Sequence, residues 1–307
     1  MTAALSIEGA AEDHVATFQI DGEPVRGRIV RLGETADAIL RPHAYPVSVA
    51  RLVGEAVMIA ALVGDALKFE GRLIVQATGD GPVNFVVADY DTSARGVRAY
   101  AKISDEKPLD ALANEQAGAD VLLGSGTFAM TVSPDGDMER YQGLTAIEGE
   151  SLAQCAEAYF RQSEQVPTRI RLAVGRLETE AGAVWRAGGA LIQRVAEDEA
   201  RGSAQDAWET AETLFATVGD DELLDPRLTM ADVLFRLFHE TGVRLGEPHP
   251  VNRRCTCDPD RLRRLLASFT KNERAEMVQD GRIEATCEYC KRVFQYDEAE
   301  ITALAIR

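Results

Sequence analysis

The chain has 307 residues and a mass of 33.4 kDa, enough for one sizeable domain and a smaller one, with 46% hydrophobic residues to build cores. Its formal charge of −17 is uneven: residues 250–307 carry eleven Lys/Arg against ten Asp/Glu, or +1, which leaves −18 on residues 1–249 and makes nucleic acid an unexpected partner. No run of about 18 uninterrupted apolar residues exists, so no membrane span is expected.

The N-terminus lacks the basic region and apolar core of a signal peptide, and a cytoplasmic protein with reduced thiols is expected. Residues 18–32 read as a hairpin turning at Asp21-Gly22. A helix over 47–63, carrying Arg51 and Glu55, reads as buried, and strands follow at 71–77 and 83–90. A second hairpin is expected from 127–132 and 138–141, across the turn Ser133-Pro134-Asp135-Gly136. Strands interrupted by helices without a regular alternation give an α+β body.

Ser151 and Gln154 form a capping-box pattern. Leu152, Cys155, Ala156, Tyr159 and Phe160 then recur on one helical face, which makes Cys155 a small core residue rather than a reactive thiol. Composition shifts after Gln193, and residues 195–240 hold twelve acidic against three basic side chains. Helices are expected at 207–217 and 230–240, the second capped by Thr229, with Val233, Leu234, Leu237 and Phe238 as its apolar stripe. Such helices are either ordinary surface elements or a lightly anchored segment able to unfold apart from the core. Glu247-Pro248-His249-Pro250 breaks the chain. Three parts result: a body at 1–195, an acidic helical linker at 196–250 and a small C-terminal module at 251–307.

In that module Asp258 and Pro259 start one helix with the face Leu262, Leu265, Leu266 and Phe269. Thr270 and Glu273 start another, stopping at Asp280-Gly281, and Ile283, Val293, Phe294 and Tyr296 are strand-like. This is too little core for a segment of that length to fold without a staple. Four of the five cysteines supply one: Cys255-Thr-Cys257 and, 29 residues on, Cys287-Glu-Tyr-Cys290. Two close pairs can give four thiolates to one tetrahedral zinc, a ligand set that leaves no open position for catalysis. His249 is expected to be an ordinary loop histidine, and His14, His43 and His239 follow no ligand spacing. Structural zinc contributes about 10–16 kcal/mol of folding energy, so metal binding and folding of the module are expected as one event. The tail is thus a zinc staple, a redox switch, or both. Oxidation would pair Cys255 with Cys257 and Cys287 with Cys290 through short loops and expel the metal.

With these cysteines in place, the chain resembles the redox-regulated holdase chaperones, the thirty-three-kilodalton heat-shock family, over nearly its whole length. The cysteine order and spacing match, and Tyr159-Phe160-Arg-Gln-Ser163-Glu164-Gln165-Val166-Pro167-Thr168 is similar to that family's central motif. So are Arg140-Tyr141-Gln142-Gly143, Gly188-Gly189-Ala-Leu-Ile192-Gln193 and Leu237-Phe238-His239-Glu240 with Val243-Arg244-Leu245. Cys155 lies where the family often has an extra cysteine, and residues 1–12 form an extension without evident role. The resemblance implies an ATP-independent chaperone that is not an enzyme and is inactive while reduced and zinc-bound. Peroxide or hypochlorous acid, with unfolding stress, would form two disulfides, release zinc, unfold the linker and expose surface for unfolding client proteins. It also implies a homodimer in the oxidised form. Two alternatives are a thiol–disulfide oxidoreductase using Cys287 and Cys290 and a zinc-ribbon interaction module, for which Arg253, Arg254, Arg261, Arg263 and Arg264 speak.

Overall fold

A computed structural model describes residues 12–107, 110–136, 138–180, 182–195 and 204–305. Residues 1–11 of the N-terminal extension and 196–203 of the expected linker lie outside these. The chain divides into two compact units, residues 1–253 and 254–307.

The first unit opens with the hairpin β1 (His14–Ile20) and β2 (Val25–Leu32), then α1 (Glu34–Leu40) and α2 (Val47–Gly64). β3 (Gly71–Gly79), β4 (Val83–Asp91) and β5 (Gly96–Ile103) form a meander. Short helices α3 (Asp110–Ala113) and α4 (Ala119–Leu123) lead to β6 (Gly126–Pro134) and β7 (Tyr141–Ala146). α5 (Leu152–Tyr159) precedes the long hairpin β8 (Thr168–Thr179) and β9 (Gly182–Arg194). Helices α6 (Ala204–Phe215), α7 (Asp220–Leu224) and α8 (Met230–Phe238) follow, then three short strands, β10 (Val243–Leu245), β11 (His249–Pro250) and β12 (Asn252–Arg253).

Two sheets result. One has the order β10-β1-β2-β9-β8, with β11 also paired to β1; the other runs β12-β5-β4-β3-β6-β7. α2 lies between them, packing on β3, β4 and β5 on one side and on β2, β8 and β9 on the other. α2 alone among the described residues is long and apolar enough to cross a membrane, and 78% of it is buried here, as expected of a core helix. The fold is α+β, as the irregular order of strand and helix signals implies.

Local rules hold at most starts and stops. Ser151 Oγ accepts from the Gln154 amide at 3.3 Å, but the Gln154 side chain reaches the Glu150 amide instead of the cap residue. The predicted face of α5, Cys155 included, is buried. The motif from Tyr159 to Thr168 builds the corner between α5 and β8. Gln165 turns it in the left-handed region at φ 56°, and the Val166 amide donates to Phe160 O. One expectation fails. The second strand of the 127–141 hairpin begins at Tyr141, paired with Val132, and Met138 stands exposed. The charged run from Asp135 to Arg140 suits a connection better than a strand.

The acidic segment from α6 to α8 covers the outer face of the first sheet. Trp208, Phe215, Leu223, Val233, Leu234 and Phe238 close over Ala16, Phe18, Ile20, Val25, Ile29 and Ile192 as one buried cluster. Light anchoring, the sharper of the two sequence readings, does not describe this packing. α7, like α1, α3 and α4 before it, is a helix that the sequence did not reveal. Arg169 adds a polar anchor, pairing with Glu212 of α6 at 2.5 Å and with Glu157 of α5 at 3.7 Å.

Beside this cover lies a cavity of about 520 Å³, lined by Arg51, Glu55, Gln154, Leu172 and Asp220 among others. Glu55 accepts from the Leu152 amide at 2.7 Å. Burial raises its pKa to about 7, against opposition from that amide and from Arg51, and Asp220 adds to the rise. A carboxyl held above its unfolded value favours the fold when protonated. Its contribution is complete below about pH 4.5 and is lost as pH rises through about 7. Glu55→Gln, whose amide oxygen still accepts from Leu152, should therefore gain stability over the parent between these pH values. The gain should be on the order of 1–2 kcal/mol, below the ~3 kcal/mol of a dry site, because the cavity admits water. Urea melts across pH 4–8 read this directly, and parallel curves for the two proteins would refute it.

Candidate metal centre

The second unit begins after β12 with Cys255 and Cys257, which lead into α9 (Pro259–Ser268). Asp258 caps α9 through the Asp260 amide, with Pro259 at the first turn where no amide is needed. α10 (Lys271–Met277) carries the Thr270/Glu273 capping box. It ends at Met277, because Asp280-Gly281, both at positive φ, form the two-residue turn between β13 (Val278–Gln279) and β14 (Arg282–Thr286). β15 (Val293–Asp297) pairs with β14, and α11 (Glu298–Ala305), absent from the sequence reading, completes the unit.

Its core is small: Leu266, Ile283, Tyr296 and Ile301 are buried, with Leu262 and Phe269 partly so, while Leu265 is exposed. Tyr296 Oη donates to Pro259 O at 2.9 Å and so ties the β-hairpin to the start of α9, two residues beyond Cys257.

Cys287 and Cys290 lie in the tight turn between β14 and β15. The Cys287 amide donates to Arg292 O at 2.9 Å, and the Lys291 amide to Cys287 O at 2.8 Å. Lys291 takes the left-handed conformation that closes the turn, at φ 55°. The four sulfurs converge, all within 4.8 Å of one another. Cys255 Sγ is 3.6 Å from Cys287 Sγ, and Cys257 Sγ is 3.7 Å from Cys290 Sγ. Four sulfurs at about 2.3 Å from a tetrahedral ion lie about 3.8 Å apart, whereas a disulfide holds them at about 2.05 Å. The cysteines are unpaired, and the set fits a tetrahedral metal with soft ligands and is compatible with zinc.

Electrostatics favour the same occupant. Burial raises the pKa of Cys255 to about 12 and raises that of Cys257 as well. Cys290 is lowered: burial opposes its ionisation, but the Arg292 amide and the neighbouring thiols donate to its sulfur and outweigh burial. These donors are a backbone amide and thiols, not basic side chains. Thiols this close cannot all ionise without a cation among them.

All four predicted ligands meet at this site, and among the described residues no other such cluster of His, Cys, Asp and Glu exists. His249 lies in the first unit, its Nδ1 2.9 Å from Asp65 Oδ1. Cys155 also belongs there, fully buried, with burial raising its pKa, so it is a poor nucleophile. Cys287 and Cys290 occupy a strand-to-strand turn, not the helix start on which a thioredoxin-like dithiol depends.

A model of the Hsp33 protein family matches residues 13–297, nearly the whole chain. The chain belongs to the Hsp33 family. The 33 kDa chaperonin of Caulobacter vibrioides is 54% identical over 293 residues, covering 94% of this chain and 96% of that protein. The 33 kDa chaperonin of Serratia proteamaculans is 36% identical over 95% of this chain and 94% of its own. A crystal structure of the Hsp33 homologue from Thermotoga maritima superposes with a TM-score of 0.78, covering 96% of this chain and 98% of that one; at 24% identity it bears on the fold alone. Membership in Hsp33 brings a chaperone function with it.

Proposed function

We propose that this Hsp33 chain is an ATP-independent holdase gated by its four cysteines, with one zinc held by Cys255, Cys257, Cys287 and Cys290 in the reduced form. The observation that carries the reading is the convergence of four thiols in a unit whose apolar core, among the described residues, centres on four buried side chains. Bound zinc supplies a tetrahedral cross-link that holds the ligands as thiolates, the form that oxidants attack. In each disulfide two thiols give up two electrons and two protons, and one peroxide takes them to become two waters. Cys255 with Cys257 and Cys287 with Cys290 close the shortest loops. Neither disulfide offers a thiolate, so the cross-link is lost with the metal.

The path to the first unit runs through the chain itself. Cys255 follows β12 by two residues, and β12 pairs with β5 through Asn252 and Arg253. Val251 is fully buried, with its amide on Asp13 O, and β11 and β10 pair with β1 just before it. Unfolding the cysteine unit frees one end of this strap, whose other end follows α8. The α6–α8 cover then leaves the sheet and exposes apolar surface to unfolding clients. A reduced cytoplasm suits the resting state, and a homodimer suits the oxidised one.

The test compares reduced and peroxide-treated protein, under mild heating, for suppression of aggregation of a thermally unfolded client, with zinc and free thiols counted in parallel. Oxidised protein should suppress aggregation at near-equimolar ratio and the reduced form should not. Equal suppression by both would end the gating reading.

A further inference from the structure

The C-terminal end of α7 meets three residues of the first sheet far from the cysteines. Gly188 on β9 lies under Leu223, and a Cβ at that position would sit inside contact distance of the Leu223 carbonyl oxygen. Arg186, two residues earlier on the same face, donates from Nε to Leu224 O at 3.1 Å. Arg31, which pairs with Gly188 across β2 and β9, donates from Nη2 to Asp225 O at 2.5 Å. Three successive carbonyls at a helix end, where backbone acceptors lack partners of their own, thus meet one gap and two guanidinium groups.

The two arginines are not equivalent. Arg186 has a carboxylate, forming an ion pair with Glu12, the one described residue of the N-terminal extension. Glu12 thus makes a contact within an extension to which the sequence assigned no evident role. Leu224 O takes its hydrogen bond from Arg186. Arg31 is 2% exposed, and its Nε and Nη1 have no partner among the described residues. Burial and the neighbouring Arg186 disfavour its charge; Glu12, Asp225 and Asp232 favour it more weakly, but none of the three pairs with it, and the Asp225 carboxylate is taken by Arg227 at 2.8 Å. Asp225 O does not depend on Arg31, since the Leu228 amide also donates to it at 3.2 Å. A buried charge without an ion pair favours any state that wets it, whereas a paired one resists the loss of either partner.

We infer that Arg186 and Gly188 hold α7 on the sheet while Arg31 opposes them, so that this guanidinium, buried without an ion pair, sets how easily residues 204–238 detach. This rests on the reading that the α6–α8 cover leaves the sheet on activation, and it names the residues that set its threshold. When α7 lifts, water reaches all of Arg31's donors and the penalty is removed. The cover is thereby closed by a broad apolar face and kept releasable by one polar group beneath it.

The test is hydrogen exchange on the full-length, reduced, zinc-loaded protein, followed in peptides spanning 204–238, with β3 and β6 peptides as the internal standard of an intact fold. Arg31→Met should raise protection of the cover at least about tenfold, while Arg186→Met and Gly188→Ala should lower it by a similar factor. Zinc content should be unchanged in all three. If Arg31→Met lowers protection as Arg186→Met does, Arg31 is a plain staple and the inference is wrong; unchanged protection in all variants also overturns it. Should Gly188→Ala lose the β3 and β6 signal, the sign for Arg31→Met still decides, because misfolding cannot raise protection. Protection that shifts as stated without any matching shift in the oxidant needed for client binding would leave this seat standing and defeat the gating reading instead.

Discussion

Removing zinc from the reduced protein with a strong chelator should unfold residues 254–307 and leave the β1–β9 body folded. The reason lies in the proportions of the second unit. Its core holds Leu266, Ile283, Tyr296 and Ile301. Fully burying such side chains contributes about 1.5–3 kcal/mol each. Ordering each residue costs about 1.5 kcal/mol, so burial on this scale cannot hold more than 50 residues without help. A tetrathiolate site contributes about 10–16 kcal/mol, more than the whole net stability of many domains. Cys287→Ser should act in the same direction, because the remaining three thiols cannot close the tetrahedron. Far-ultraviolet circular dichroism and proteolysis of the 254–307 segment, before and after chelation, check the claim. A unit that keeps its protease resistance with no metal bound would show that the small core suffices, and the proposed coupling would fall with it.

The second large effect should come from the opposite end of the same pathway. Phe215 of α6 is 1% exposed within the cluster under the cover. Phe215→Ala should cost about 3–5 kcal/mol, through lost burial and the cavity left behind. Because the Phe215 ring joins the cover to the sheet, the penalty should fall on docking of residues 204–238 and spare β3–β7. The variant is expected to bind an unfolding client while reduced and zinc-loaded, without oxidant. Client binding that still needs full oxidation, in a variant whose cover has demonstrably loosened, would separate the cover from the gate.

These two expectations draw on different levels of information. The four-thiol cluster was legible in the chain because a site able to hold zinc is specified by residue type and close spacing, and four cysteines in two tight pairs satisfy both. The capped starts of α5, α8, α9 and α10 were legible for a similar reason: a cap and its partner lie two or three residues apart, so the interaction is complete within the sequence window that shows it. The Asp280-Gly281 pair was visible as a stop, yet its role as a hairpin turn depended on β14 finding both β13 and β15. α11 stayed hidden because its buried Ile301 is a single apolar anchor with no periodic stripe around it.

The cover shows where local reading ends. Twelve acidic side chains over residues 195–240 left ordinary surface helices and a loosely held segment equally open. Acidity describes the solvent side of α6–α8, however, and the side that matters for anchoring meets residues nearly two hundred positions earlier, from Ala16 to Ile29. Nothing within the segment announces that partner. Arg31 is likewise only one basic residue in a strand until β9 and α7 close over it.

What the sequence alone determined is the four-thiol cluster of the tail and the class of the fold, since thiol spacing, caps and turns act over a few residues. What only the tertiary structure decided is how the acidic helices are held: which sheet face receives them, which carbonyls meet which arginines, and which charge is buried unpaired. Those depend on long-range pairing, where burial and desolvation are fixed by neighbours that the local sequence does not contain.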